Sequence, residues 1–485
     1  MIPLLDADEM RAMEAEAIAQ WGIPSRVLQE HAAIGALALL PEGVPLHVLA
    51  GPGNNGGDAL ALARLARLRG EQVEVWALEP NPVWDGDAAA QAALWVGLGG
   101  QYRYTDDPAT AVASFRGWVV DGLFGLGVRL PLRGPAKAWA MALHEAVAQG
   151  GAGFQVLALD LPSGLDPSQA EVVGVPVRAH RTACFGHLKR CHGLRPARDL
   201  CGDMTVVPIP LRANVQALVW RMEPPEPEPL DRWNTHKRHF GHVAIRAGKL
   251  GMSGAAVLAA LGALRMGAGL VTLLVEAELR QEIASSVPEA MVRVWDGVVP
   301  DGVDVLLVGP GGVDEIPEWG GPLVLDASAL KPGEGAMWMG RPETVITPHG
   351  GEFARLFGLA VPSGSTDERL RLARKVASGP GILVLKGAQT ILAGGGLDQL
   401  WVNPTGHPGL STGGTGDFLA GTIAAQTGRW ARQGEGPRDP NALRRAVADA
   451  VWLHGEAADR LGEGPLLVRE LGTSLAALLR ERHAH

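Results

Sequence analysis

Short apolar runs alternate with stretches of helical spacing along most of the chain. Residues 45–50 (PLHVLA) form such a run, a Gly/Asn loop follows, and residues 59–69 then place Leu60, Ala63 and Ala66 or Arg67 at helical spacing. Residues 72–78, 118–121 and 154–160 are further strand candidates, with a helix at 136–148. Strands separated by helices of this length predict a parallel sheet covered on both faces. The alternation resumes with strands at 243–247, 270–275, 304–308, 323–326, 345–347 and 382–385. A helix is expected at 255–266, and three more close the chain at 417–430, 441–461 and 466–480. Between the halves, residues 222–232 read MEPPEPEPLDR. Alternating Pro and Glu cannot bury apolar surface and stiffen the backbone, so this segment reads as a linker. No internal repeat relates the halves. The pattern predicts two α/β domains, 1–221 and 233–485, joined at 222–232.

Composition narrows the class. At 485 residues the chain is too long for one ordinary core, and its 47% apolar residues suit globular domains. Its 65 glycines, about twice the usual share, follow no fixed period and fit many tight strand-to-helix loops. A net charge of −9 without a basic face argues against a nucleic-acid partner. The N-terminal segment MIPLLDADEMRAMEAEAIAQWG is acidic and helix-like, unlike a signal or transit peptide. Arg265 interrupts the best candidate for a membrane span, around 258–275. Cys184, Cys191 and Cys201 are too few for a disulfide framework. A cytoplasmic location, small-molecule partners, no membrane partner and a homo-oligomer are expected.

Ligands of parallel α/β sheets bind beyond the carboxyl ends of the strands, and three loops of the first half sit there. Residues 51–58 read GPGNNGGD between a strand and a helix. Glycines let the backbone approach a phosphate, and the helix start offers free N–H groups to it; a tight turn explains the same glycines. Asp121 opens DGLFGLGVRLPLRG, where a strand-end carboxylate precedes glycines and arginines. Asp160 ends a strand in LDLPSGLD, and Ser163 follows. A turn cap accounts for Asp160 taken alone, but two strand-end carboxylates beside a Gly-rich loop favour a binding site.

In these motifs and their order, and in AHRTACFGHLKRCHGL at 179–194, the first half resembles the NAD(P)H-hydrate epimerase family, the YjeF N-terminal domain. The resemblance implies a Rossmann-like three-layer domain. It implies a K⁺ ion held by Asn55, Asp121 and Ser163, hard oxygen ligands suited to an alkali cation. The hydrated dinucleotide would meet Asn54, Asn55, Gly56, Gly57 and Asp58 on one side. Gly125, Leu126, Gly127, Val128, Arg129, Leu130 and Pro131 would meet it on another, with Asp160. Asp160 is the expected proton-transfer group, acting as acid and base in turn. The family carries Gly where Ala59 stands, so a methyl group is expected at the helix start, crowding the ligand. His180, Cys184, His187, Cys191, His192 and Cys201 hint at zinc, but their spacing fits no structural zinc pair, and no metal is expected there.

The second half carries GKLGMSG (248–254), GPGG (309–312), TPHGGE (347–352) and STGGTGDFLAG (411–421). In the last, glycines precede a helix start and Asp417 falls in the first turn. Free N–H groups there stabilise negative charge on a phosphoryl group in transfer, and Asp417 is placed to take the proton of an attacking hydroxyl. Capping alone would not call for so many glycines. With KGAQT at 386–390 and WVNPTGHPGLSTGGTGD at 401–417, this half resembles the ADP/ATP-dependent NAD(P)H-hydrate dehydratases, which implies a ribokinase-like three-layer fold. By that resemblance Ala255, Gly311, His349 and Asp417 contact the hydrated substrate, while Lys386, Gly387, Ala388, Gln389, Thr390 and Gly416 contact the nucleotide. For His349, ordering its loop is the alternative role; His454 is expected to be packed in the core.

The implied activity is repair of hydrated NADH and NADPH. The first domain interconverts the R and S hydrates. The second phosphorylates the S hydrate from ADP or ATP with Mg²⁺, and phosphate elimination restores the dihydropyridine. Two rivals are a small-molecule kinase fused to an isomerase, and a first domain that is a non-catalytic scaffold.

Overall fold

The computed structural model describes residues 1–212, 215–226, 236–361, 364–432 and 440–484. It divides into two compact units, Ile2–Val219 and Trp220–His485. Residues 222–226 have no regular structure, and residues 227–232 of the expected linker lie outside the described residues. No helix among the described residues is long and apolar enough to cross a membrane.

The first unit opens with β1 (Ile2–Leu4) and builds a parallel sheet from β2 (Leu46–Ala50), β3 (Val73–Ala77), β4 (Tyr102–Arg103), β5 (Gly117–Gly122), β6 (Phe154–Leu159), β7 (Arg181–Phe185) and β8 (Asp203–Val207). Their order is β4-β3-β2-β5-β6-β7-β8. The chain leaves β2 towards one edge and β5 towards the other, so the crevice between them is the topological switch point where such sheets bind ligands. Both sheet faces are covered. Val48 and Ala50 pack with Leu60 and Ala63 of the helix Asn54–Leu68, while Leu49 and Val119 pack with Trp139 and Leu143 of the helix Gly134–Ala148.

The helix Asn54–Leu68 starts five residues before the expected 59, because the glycines of GNNGGD form its first turn rather than the loop before it. A Cβ on Gly56 would lie 1.8 Å from the Gly51 carbonyl oxygen, so close backbone packing requires glycine there. Ala59 is consequently inside the helix. Its methyl meets Gly122, where a Cβ would sit 2.4 Å away, and Ala59 is fully buried. The expectation that this methyl crowds the ligand is corrected: it faces the sheet.

After β9 (Val219–Arg221), the second unit contains β10 (His242–Arg246), β11 (Leu270–Val275), β12 (Met291–Val294), β13 (Val305–Val308), β14 (Leu323–Leu325), β15 (Thr344–Ile346), β16 (Ile382–Leu385), β17 (Ile391–Gly394) and β18 (Leu397–Val402). Their order is β18-β17-β16-β15-β14-β13-β10-β11-β12. The ladders from β16 to β12 are parallel, and the hairpin β17–β18 adds two antiparallel strands at one side. Here the switch point lies between β10 and β13. The helix Thr415–Arg432 crosses the helix Ser253–Arg265 at close range through two glycines. A Cβ on Gly262 would come 2.1 Å from the Phe418 carbonyl oxygen, and one on Gly421 would come 2.0 Å from that of Ala259. That crossing fixes the start of the helix bearing Asp417.

Candidate active sites

In the first unit the loops after β2 and β5 meet at the switch point. Pairing of Leu49 with Asp121, and of Asp121 with Ala158, sets the three strand ends side by side. A cavity of about 880 Å³ opens there, lined by Asn54, Asn55, Asp58, Gly125, Leu126, Gly127, Arg129, Leu130, Pro131 and Asp160. Of the expected dinucleotide contacts, Gly56, Gly57 and Val128 do not line it. Gly56 and Gly57 are buried in the helix start, serving backbone packing.

Beneath the cavity Ser163 Oγ donates to Asp121 Oδ1 at 2.6 Å, and the Ser163 N–H donates to Asp121 Oδ2 at 2.8 Å. Burial pushes the Asp121 carboxyl up to about 6, against the hydrogen bonds from Ser163 and Leu123. The side-chain oxygen and nitrogen of Asn55 are both buried and have no hydrogen-bond partner. Its amide lies against Gly125, where a Cβ would be 3.4 Å from Oδ1. A buried oxygen without a donor and a buried carboxylate short of positive charge are what a cation would satisfy. The donors expected to hold K⁺ therefore fit one.

Asp160 sits in left-handed backbone, φ 64°, a strained state for a residue other than glycine that recurs at functional sites. Its carboxylate accepts from the Phe185 N–H at 3.2 Å and pairs with Lys189, whose side chain is wholly buried and also donates to the Phe185 carbonyl oxygen at 2.7 Å. Three further carboxyls line the same cavity, Asp58, Glu14 and Asp87. Burial, then the charges of Asp160 and Glu14, hold Asp58 well above the usual carboxylate range. Burial and then Asp160 push Glu14 up to about 7. Neither Glu14 nor Lys189 was anticipated. The sequence signal for Lys189 is its place in GHLKRCHGL, among Cys and His residues of high density. Cys184, Cys191 and Cys201 are free and buried, and Cys184 Sγ lies 3.8 Å from His192 Nε2.

In the second unit the expected contacts form two groups at the carboxyl ends of the strands. After β10 and β13, Ala255 and Gly311 adjoin: Gly311 has φ 70°, and a Cβ on it would meet that of Ala255 at 3.1 Å. After β14, β15 and β16 a buried charged cluster assembles. Asp326 Oδ1 accepts from Lys386 Nζ at 2.6 Å and from Thr347 Oγ1 at 2.8 Å. Lys386 Nζ also lies against Gly416, 3.4 Å from where a Cβ would be. Burial opposes its charge, but Asp326 and Glu352 outweigh burial and raise it. Asp417 occupies the first turn of its helix, and its carboxyl is pushed up to about 6 by burial first and by the Asp326 carboxylate next.

His349 caps the helix Gly350–Phe357. Its Nδ1 accepts from the Gly351 N–H at 3.0 Å, while its own N–H donates to Glu352 Oε2 at 2.9 Å. The loop-ordering role is thus present, and the ring stays more than half exposed. In KGAQT, Gly387 and Ala388 are exposed, and Gln389 is buried. The Arg369 guanidinium supports this loop from beneath, donating to the carbonyl oxygens of Leu385 at 3.2 Å and Gln389 at 2.9 Å. His454 is buried beside Phe418, and burial lowers it to about 4. Asp326, Glu352 and Arg369 went unread because their importance comes from contacts across neighbouring strands.

Comparison with known proteins follows the same division. Residues 25–191 match the family model described as YjeF-related protein N-terminus, and residues 243–477 match that of NAD(P)H-hydrate dehydratase. The bifunctional NAD(P)H-hydrate repair enzyme of Gloeobacter violaceus is 35% identical, over 94% of this chain and 93% of its own. This chain belongs to the bifunctional NAD(P)H-hydrate repair enzyme family. The repair enzyme of Thermanaerovibrio acidaminovorans is 32% identical, over 98% of each chain. The solved ADP/ATP-dependent NAD(P)H-hydrate dehydratase of Bacillus subtilis, co-crystallised with ATP and Mg²⁺, is 30% identical, covers 53% of this chain and 94% of its own, and superposes with a TM-score of 0.44. A repair enzyme of this family joins an NAD(P)H-hydrate epimerase to a dehydratase, the pair of activities expected from the motifs.

Proposed function

We propose that the two activities divide between the units as their sites suggest. The first interconverts the R and S hydrates in the cavity at its switch point. Asn54, Asn55, Asp58 and the Gly125–Pro131 loop hold the dinucleotide, and Asp160 moves a proton at the hydroxyl-bearing carbon. Its carboxylate is paired with the buried Lys189 side chain and faces the cavity, where it works as the base. Asn55, Asp121 and Ser163 would hold K⁺, whose charge would order the loops that grip the substrate.

The second unit dehydrates the S hydrate using ADP or ATP. Hydroxide is a poor leaving group and phosphate a good one, so phosphorylation of the hydroxyl makes elimination easy. Asp417 accepts the hydroxyl proton, and the free N–H groups of its helix start, with Lys386, face the phosphoryl group in transfer. Ala255, Gly311 and His349 position the hydrate; the 386–390 loop and Gly416 hold the nucleotide. Mg²⁺ bound with the nucleotide would add to the neutralisation of the phosphates.

The observation that carries this reading is the cluster of Asp417, Lys386, Asp326 and Glu352 at one helix start. It pairs a proton acceptor with a held cation, as phosphoryl transfer to a hydroxyl requires. The test is the stoichiometry with S hydrate and ADP. One AMP and one inorganic phosphate should appear per dihydropyridine restored. A phosphorylated product that accumulates would identify a kinase instead.

A further inference from the structure

Glu14 stands on the helix Ala7–Ala19 and lines the same cavity as Asp160, which enters from the end of β6. Among the described residues its side chain makes no hydrogen bond, although it is only partly exposed. Its helix is anchored to the substrate loop by Arg11, one turn earlier, whose Nη2 donates to the Leu126 carbonyl oxygen at 2.8 Å. Arg11 is also paired with Asp8 at 2.7 Å, so its charge is already shared. The charged groups facing Glu14 are thus Asp160, Lys189 and Arg11, with Asp58 coupled to it across the cavity. The two carboxyls differ in what surrounds them. Asp160 has the buried Lys189 side chain against it, and Glu14 lines the ligand space with its side-chain hydrogen-bonding capacity unused.

We propose that Glu14 is the acid of the epimerisation, giving its proton to the departing hydroxyl while Asp160 accepts the proton of the water that adds on the opposite face of the ring. This rests on the reading of the first unit as the epimerase. Hydration of an enamine puts the hydroxyl on the carbon bonded to the ring nitrogen. Protonation by Glu14 breaks the C–O bond, water leaves, and the nitrogen lone pair forms a C=N⁺ bond. Water then adds from the other face, the π electrons return to nitrogen, and Asp160 takes the proton. Transfer of that proton from Asp160 to the Glu14 carboxylate through water restores the starting state. The reversible loss of hydroxyl needs one protonated and one charged carboxyl together, and burial beside Asp160 keeps Glu14 protonated up to about pH 7.

The test compares the whole chain with its Glu14→Gln and Glu14→Asp variants, each given one hydrate epimer in H₂¹⁸O without nucleotide. Chromatography follows the epimers, and mass spectrometry follows the hydroxyl oxygen. Glu14→Gln should lower kcat by roughly two to four orders of magnitude with KM changed only a few-fold. Glu14→Asp should recover part of the rate. The wild-type rate should fall as pH rises through about 7, with one ¹⁸O entering per inversion. A wild-type rate in Glu14→Gln, equal losses in both variants, or inversion without ¹⁸O would overturn the proposal. An intact chain that fails to epimerise would instead overturn the reading of the first unit.

Discussion

Lys386 Nζ lies 2.6 Å from Asp326 Oδ1, and this buried ion pair sits beside the helix turn that carries Asp417. Asp326 thereby does two things. It holds the ammonium in place, and its charge helps raise the Asp417 carboxyl. Replacing Asp326 with Asn should remove the nearest of the carboxylates around a largely buried ammonium while Glu352 and Asp417 remain, so it should cost less than the roughly 3–5 kcal/mol of breaking a fully buried pair. Thermal unfolding of the second unit should shift down accordingly. The acid limb of dehydration should move to lower pH, because one charge that disfavours ionised Asp417 is gone. An unmoved limb would separate Asp326 from Asp417.

In the proposed role Asp417 can accept a proton only when ionised. Its carboxyl is pushed up to about 6, so dehydration should be fully active above that pH and fall as pH drops through it. Asp417→Asn should lower dehydration by roughly two to four orders of magnitude and remove this limb. Nucleotide affinity by calorimetry, and epimerisation by chromatography, should stay near normal. Loss of all three signals would make Asp417 a structural cap.

The Asp121 carboxyl is raised to about 6 by burial, so in the folded first unit its ionised form is disfavoured. Relative to low pH, ionisation costs stability, and that cost grows as pH rises from the ordinary carboxylate range and is complete above about 6. A cation held with Asn55 and Ser163 would offset the cost only where Asp121 is charged. K⁺, against an equal concentration of choline, should therefore raise the Tm of the first unit at pH 7.5 and have little effect at pH 5. Asp121→Ala should abolish both this shift and any K⁺ dependence of epimerisation, while dehydration is spared. An equal shift at both pH values would place the cation elsewhere.

Most of the architecture was legible, and the reasons are local. Buried parallel strands such as residues 305–308 are nearly all apolar, and loops such as GNNGGD and GGTGD announce a strand-to-helix turn by their glycines. The hairpin β17–β18 carries no strand signature, because AGGGL at 393–397 breaks the apolar run that would mark its strands. The helix start at Asn54 is hidden in the sequence because glycine is a poor helix former, and only the packing of Gly56 against Gly51 shows why it stands in a first turn. Site residues embedded in a motif were readable. Lys189, Glu14 and Asp326 were not, because each acquires its role from a partner at least 29 positions away or from a cavity wall.

The activities should also separate along the chain. A fragment ending near Pro224 should retain epimerisation, and one starting near Asp231 should dehydrate the S hydrate with ADP. Assays of each fragment against the intact chain measure this. Two inactive fragments from an active chain would mean that neither unit completes its site alone.

The most direct test of the whole account supplies the intact chain with R hydrate alone and ADP, and follows dihydropyridine absorbance beside chromatography of the epimers. The hydrate should be converted fully, with S hydrate as a transient. In Asp417→Asn the R and S forms should equilibrate while absorbance stays flat. In Asp160→Asn, R hydrate should persist while added S hydrate is still dehydrated. Conversion of R hydrate at the wild-type rate by Asp160→Asn, or rising absorbance in Asp417→Asn, would contradict the account.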